Sequence, residues 1–340
     1  MSVGSILQVN GLTTTYRVGG RDVPVLDNLS FHCEAGERVG LAGESGSGKS
    51  VVALSLLRLI RPPGRIAAGE VLLDGQDVLR LSPAALRRVR GGQIAIVFQD
   101  PGGSLTPVYS IGTQLVETMR AHLPLSRAEA VRRAVELLGQ VGIPEPERRM
   151  ESFPHELSGG MKQRVAIALA LSCNPKVLIA DDPTSAVDVT IQAQILQLLD
   201  ELTQDERLTL ILISHDFRVI STICERVLIL YSGDIVETGP SYEVFGRPRH
   251  PYTRALLECA PSIEEYRFPF ATLSGSPPNL VHGRVAGCPF HPRCARRVEP
   301  CATEMPPLEP TLPSAHAYAC WNPEPIDECA SARAAGGEAR

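Results

Sequence analysis

Along the first 242 residues the apolar positions follow two alternating rhythms. Short continuous apolar runs at residues 38–42, 94–98, 177–180, 210–213 and 227–230 read as strands buried on both faces, and helix-like amphipathic stretches follow most of them. This alternation predicts an α/β domain on a largely parallel sheet. Residues 1–16 instead alternate apolar and polar side chains, without a basic start and long apolar core, so a strand is expected there and not a secretory leader. The strand signal vanishes over residues 110–150, where helical periodicity at 128–140 gives way to Pro144 and Pro146. A helical subdomain, about residues 104–157, is therefore expected as an insertion in a domain spanning 1–240. Beyond Tyr242 the chain shifts toward Pro, Arg, His and Cys, with one helical stretch near 252–259; a C-terminal module over 241–325 and a disordered tail over 326–340 are expected.

Composition narrows the class. With 340 residues, 44% hydrophobic and 21% charged, the chain can bury a substantial core. A net charge of −5 supplies no basic field to hold nucleic acid, which disfavours DNA or RNA as a partner. Apolar runs such as 208–213 and 227–231 fall far short of the roughly 20 residues that span a bilayer, so membrane attachment must go through another protein. Nine cysteines are unevenly placed, five of them between Cys288 and Cys329.

The strongest chemical signal is the run Gly43, Glu44, Ser45, Gly46, Ser47, Gly48, Lys49, Ser50, which fits G-x-x-x-x-G-K-[ST] between an apolar strand and a helix-like stretch. Its glycines let backbone N–H groups wrap phosphates, the helix N-terminus adds its positive end, Lys49 reaches the β- and γ-phosphates, and Ser50 can ligate Mg²⁺. A second strand, 177–180, ends in Asp181 and Asp182. Asp181 is the candidate Mg²⁺ partner, and Asp182 stands where a carboxylate could polarise an attacking water. Alone, an Asp pair at a strand end is as readily a turn cap; coupled to the phosphate loop, it points to a nucleotide site.

Leu157, Ser158, Gly159, Gly160, Met161, Lys162, Gln163 and Arg164, placed just before the acidic strand, resemble the signature of ABC-type ATPases. The resemblance implies an α/β P-loop NTPase fold, an ABC nucleotide-binding domain with a helical subdomain. It also implies ATP and Mg²⁺ as cofactors and a face-to-face pair of motor subunits, each clamping the other's ATP through Ser158, Gly159 and Gly160. On the same resemblance Gln99 is the glutamine that touches Mg²⁺ and water. Residues 185–188, ending at Asp188, form a loop at the dimer seam, His215 contacts the γ-phosphate, and Tyr16 stacks on adenine. Residues 153–161, 250–256 and 287–294 further resemble the oligopeptide/dipeptide (and nickel) importer ATPases. Two transmembrane permease subunits, an extracellular peptide-binding protein acting through them, and a peripheral position on the cytoplasmic face of the bacterial cell membrane follow as expectations. Import of nickel or another small solute, export, and a nucleic-acid maintenance ATPase are the rival readings.

The chain departs from the family at Asp182, where Glu is usual. Asp is one methylene shorter, and a misplacement of about 1 Å can cost on the order of 10²-fold in rate, so the site on this chain's own loop is expected to hydrolyse slowly and the motor partner to be non-identical. Cys288, Cys294, Cys301 and Cys320 are spaced C-x5-C-x6-C-x18-C. Zinc sites usually show C-x2–4-C pairs, and disulfides are disfavoured in a reducing compartment. Similarity to the importer ATPases implies a [4Fe-4S] cluster on these four; zinc, no metal at all, and His291 as a substitute ligand stay open. Cys33, Cys173, Cys224 and Cys259 read as small buried apolar residues.

Overall fold

The computed structural model describes residues 4–185, 189–203, 208–259, 273, 275–278, 283–310 and 314–325. The expected tail at 326–340 and the seam-loop residue Asp188 lie outside the described residues. The alternating N-terminus forms β1 (Ser5–Val18), which pairs antiparallel with β2 (Arg21–Glu34). The chain then enters the buried β3 (Arg38–Ala42), α1 (Lys49–Leu56), β4 (Gly64–Leu73) and β5 (Gln76–Asp77). Strands β2, β1, β4 and β5, in that order, make a four-stranded antiparallel sheet.

After α2 (Pro83–Val89) the chain forms β6 (Ile94–Val97) and a run of helices, α3 (Pro101–Ser104), α4 (Ile111–His122), α5 (Arg127–Gln140), α6 (Pro146–Arg149) and α7 (Gly159–Leu171). Local rules explain their starts. Ser110, Ser126 and Ser158 each cap a helix by accepting a backbone N–H, and Ser126 with Glu129 closes a full capping box. The chain returns through β7 (Val177–Asp181), α8 (Val189–Thr203), β8 (Thr209–Ser214), α9 (Phe217–Ile223), β9 (Arg226–Tyr231) and β10 (Asp234–Pro240).

The main sheet runs β6, β7, β8, β3 and β9 in parallel, with β10 antiparallel at the side of β9. The central strands are buried on both faces, and residue parity sorts their side chains. Leu178, Ala180, Leu210, Leu212, Val227 and Ile229 join the core beneath α4, α5, α7 and α9. Their neighbours Val177, Ile179, Ile211, Ile213, Leu228 and Leu230 join a second core under β1, β2 and α1.

The region after Tyr242 continues this body. It contributes α10 (Ser241–Gly246), α11 (Pro251–Cys259), β11 (Glu309–Pro310) and β12 (Ala317–Tyr318). Strand β12 pairs with β10 and so covers what would be an open sheet edge. Tyr252, Cys288, Phe290 and Cys301 belong to the same apolar cluster as Leu178 and Ile229, so the region shares the core of the preceding α/β domain.

Candidate functional site

Strand β3 ends at Ala42, and the next six residues turn sharply into α1. A side chain at Gly43 (φ +151°) would bring its Cβ within 2.2 Å of the Leu230 carbonyl oxygen, so this turn admits only glycine. Gly48, at φ +107°, occupies the position just before α1. Lys49 is buried, and its Nζ donates to the carbonyl oxygens of Gly43 (2.8 Å) and Glu44 (2.9 Å), which closes the loop on itself. Burial holds the Lys49 amine below its usual range, against the opposing pull of Asp182, Asp181 and Glu44.

Two further strand ends converge on this loop. Ser50 Oγ donates to Asp181 Oδ1 at 3.2 Å, joining the two residues that the motifs pair for Mg²⁺. Burial raises the Asp181 carboxyl above its ordinary range; the Ser50 hydrogen bond opposes the rise and neighbouring Asp182 adds to it. Both oxygens of Asp182 lie 3.0 Å from His215 Nδ1. Asp182 is held in the left-handed region at φ +49°, with its N–H donating to the Ile213 carbonyl at 2.9 Å. The Asp182 side chain is 15% exposed and that of His215 is 64% exposed, so the pair opens outward. Toward this carboxylate Nδ1 donates, which leaves Nε2 of the neutral ring as an acceptor.

The other sequence-predicted residues take separate places. Gln99 is exposed just past β6. Tyr16 is half-buried, its ring so close to Gly64 that a Cβ there would come within 2.7 Å of it. Ser158 caps α7, accepting from the Met161 N–H at 3.3 Å, and Gly160 lets α8 approach, since a Cβ would meet Ile191 at 2.7 Å. Among the described residues no hydrogen bond joins Ser158, Gly159 or Gly160 to the phosphate loop.

Two residues of this neighbourhood were not foreseen. The Glu44 N–H donates to Tyr252 Oη at 2.7 Å, and the Arg293 guanidinium grips the Glu44 carboxylate with two hydrogen bonds, 2.7 and 3.1 Å. They lie 208 and 249 residues from Glu44 in sequence, beyond the reach of any local pattern. The family-like segments at 250–256 and 287–294 contain them, which is the one signal the sequence carried.

The four late cysteines approach one another closely enough that their thiols interact. Burial drives the Cys288 thiol up to about 11, with contributions from Cys301 and Cys294. Burial drives Cys320 up to about 12, with contributions from Cys288, Cys294 and Cys301. Nearby backbone N–H groups oppose the rise at Cys288, Cys294 and Cys320, and Cys301 Sγ accepts the Val298 N–H at 3.5 Å. Among the described residues no group of three or more His, Cys, Asp or Glu side chains is arranged to hold a metal ion. Cys33, Cys173 and Cys224 are buried, whereas Cys259 is only partly so.

Comparison with known proteins gives this geometry a context. The ABC transporter family model matches residues 26–185, and the model of the oligopeptide/dipeptide transporter C-terminal region matches 236–301. The oligopeptide transport ATP-binding protein OppD of Salmonella typhimurium is 43% identical over 318 residues, covering 94% of this chain and 94% of that protein. The dipeptide transport ATP-binding protein DppD of Escherichia coli is 42% identical over 304 residues, covering 89% of this chain and 93% of that protein. A dimeric ATP-binding cassette solved with ADP and Pi in a post-hydrolysis state superposes with a TM-score of 0.63 at 30% identity, over 69% of this chain and 98% of that one. Among the described residues no helix is long and apolar enough to cross a membrane.

Proposed function

Because this chain belongs to the ABC transporter ATPases, in the branch that carries the oligopeptide/dipeptide transporter C-terminal region, we propose that it binds and hydrolyses ATP to power peptide import through a membrane complex. The observation that carries the reading is the meeting of Lys49, the Ser50–Asp181 pair and the Asp182–His215 pair at the ends of β3, β7 and β8.

The residues divide the work as follows. Phosphate-loop amides and Lys49 hold the β- and γ-phosphates of ATP, and the adenine rests on Tyr16. Ser50, Asp181 and Gln99 hold Mg²⁺, which supplies charge neutralisation on the phosphate oxygens. Asp182 and His215 orient the attacking water and meet the γ-phosphate. Ser158, Gly159 and Gly160, at the start of α7, clamp the ATP bound to a second motor subunit, and Asp188 lines the seam. Because Asp182 is short and its carboxylate is turned to His215, the own-loop site turns over slowly and the partner is a related but different chain.

The assembly contains two transmembrane permeases fed by an extracellular peptide-binding protein, and this chain docks on them at the cytoplasmic face of the cell membrane. The relatives' cargo names favour peptides over nickel or another small solute, and the −5 charge favours a transporter over a nucleic-acid maintenance ATPase. Affinity purification from membranes tests this assembly: two permeases and a second ATPase should co-purify, and recovery of the chain alone or with DNA contradicts it.

Cys288, Cys294, Cys301 and Cys320 would hold a [4Fe-4S] cluster. Support comes from the donor set: four free thiols, Cys288 and Cys301 buried and Cys294 and Cys320 partly so, with Cys301 Sγ accepting the Val298 N–H. The C-x5-C-x6-C-x18-C spacing, which lacks the C-x2–4-C pairs usual for zinc, favours a cluster over zinc. When bound, the cluster cross-links a segment with little regular structure of its own.

A further inference from the structure

Tyr252, Tyr231, Phe290 and His250 form a buried aromatic block beneath the phosphate loop, with the Tyr231 and Tyr252 ring centroids 4.5 Å apart and Phe290 5.3 Å from each. Interiors packed this way have few alternative arrangements, so groups projecting from them are well placed. Two polar groups project toward Glu44. The Tyr252 hydroxyl accepts the Glu44 N–H, and Arg293, its side chain only 5% exposed, lies over the Tyr231 and Phe290 rings and grips the Glu44 carboxylate.

Glu44 is the second residue of the phosphate loop, and its own carbonyl oxygen accepts from Lys49 Nζ. Its side chain brings a negative charge to a loop whose ligand is a polyphosphate. Left alone, that charge would repel the ligand and could swing toward Lys49. The bidentate guanidinium pair neutralises the carboxylate and fixes its direction, a geometry an ammonium could not reproduce. The Tyr252 hydrogen bond fixes the backbone of the same residue.

We infer that Arg293 and Tyr252 are positioning residues of the nucleotide site: the C-terminal region braces the phosphate loop through Glu44 and thereby sets ATP affinity. The inference rests on the phosphate loop being the nucleotide site, and loss of all binding in Lys49→Ala checks that premise separately. The 3₁₀ turn that carries Arg293 (His291–Arg293) lies between Cys288 and Cys294.

The test measures the dissociation constant of a fluorescent ATP analogue with the purified full-length chain, at a temperature where circular dichroism shows each variant folded. Arg293→Met should weaken binding about tenfold, the scale of a lost charge-assisted pair, and Tyr252→Phe, which removes one oxygen from a buried ring, about threefold. Glu44→Gln removes the charge that Arg293 neutralises, so Glu44→Gln/Arg293→Met should bind within about threefold of Glu44→Gln alone. In the assembled transporter the single variants should raise the KM for ATP with kcat at saturation within about twofold, whereas a purely structural lesion lowers kcat at constant KM. Unchanged affinity in Arg293→Met or Tyr252→Phe overturns the inference, as does a double variant no tighter than Arg293→Met. If Arg293→Met does not fold, Tyr252→Phe alone decides by the same criterion.

Discussion

Replacing Asp182 by Glu is the perturbation that most sharply probes the chemistry of this site. Asp182 reaches His215 Nδ1 with both oxygens at 3.0 Å from a backbone pinned by the Ile213 carbonyl, so its carboxylate has little freedom to advance toward a bound nucleotide. One methylene extends the side chain by roughly 1.5 Å, the length of a carbon–carbon bond. A misplacement of about 1 Å can cost on the order of 10²-fold, and a hundredfold change corresponds to about 2.7 kcal/mol of barrier. The assay is single-turnover phosphate release in proteoliposomes, with the phosphate-loop lysine of the partner ATPase replaced so that only this chain's loop is competent. Asp182→Glu should accelerate that turnover by about 10- to 100-fold with little change in ATP affinity. An unchanged or slower rate refutes the reasoning: Asp182 would then already stand at the right distance, with His215 completing the site.

Three other outcomes follow from the geometry. Ser50→Ala deletes the hydroxyl that reaches Asp181, so the Mg²⁺ concentration for half-maximal ATPase should rise about tenfold or more, measured by Mg²⁺ titration at saturating ATP. His250 is fully buried, burial drops its pKa from 6.5 to about 3, and its Nε2 has no hydrogen-bond partner among the described residues. The unfolded chain therefore takes up the proton first, and the neutral imidazole's contribution, complete above pH 6.5, is lost as pH falls toward 3. This amounts to roughly 1.4 kcal/mol per pH unit, and urea unfolding at pH 7.5 and 5.0 should show His250→Gln less pH-sensitive than the parent. Anaerobically purified protein should contain about four iron and four sulfide per chain, and Cys320→Ala should lose them and lower the melting temperature; zinc or no metal in the parent contradicts the cluster.

Strands β3, β7, β8 and β9 were legible because they are buried on both faces and so read as unbroken apolar runs; of the two prolines expected to close the helical stretch, Pro144 follows the end of α5, whereas Pro146 opens α6, since proline suits a first helical turn. The nucleotide residues were legible because phosphate binding demands glycines, Lys49 and Ser50 in one contiguous stretch. What escaped is non-local. The pairing of β12 with β10 joins residues about 80 apart through two-residue contacts, too short for any periodicity. The Glu44 contacts with Tyr252 and Arg293 depend on how the chain returns to the loop, and only folding brings them together. The Asp182–His215 pairing is intermediate: both residues stood out by motif, but their direct contact is set by the parallel register of β7 and β8.

The most direct measurement of the account as a whole is ATP-dependent uptake of a labelled oligopeptide into proteoliposomes bearing the complete transporter, with and without Lys49→Ala in this chain. Uptake should require ATP on the side where this chain sits and should fall to background in Lys49→Ala, with the complex still assembled. Uptake that persists at the parental rate in Lys49→Ala, or that proceeds without ATP, contradicts a peptide importer powered through this chain.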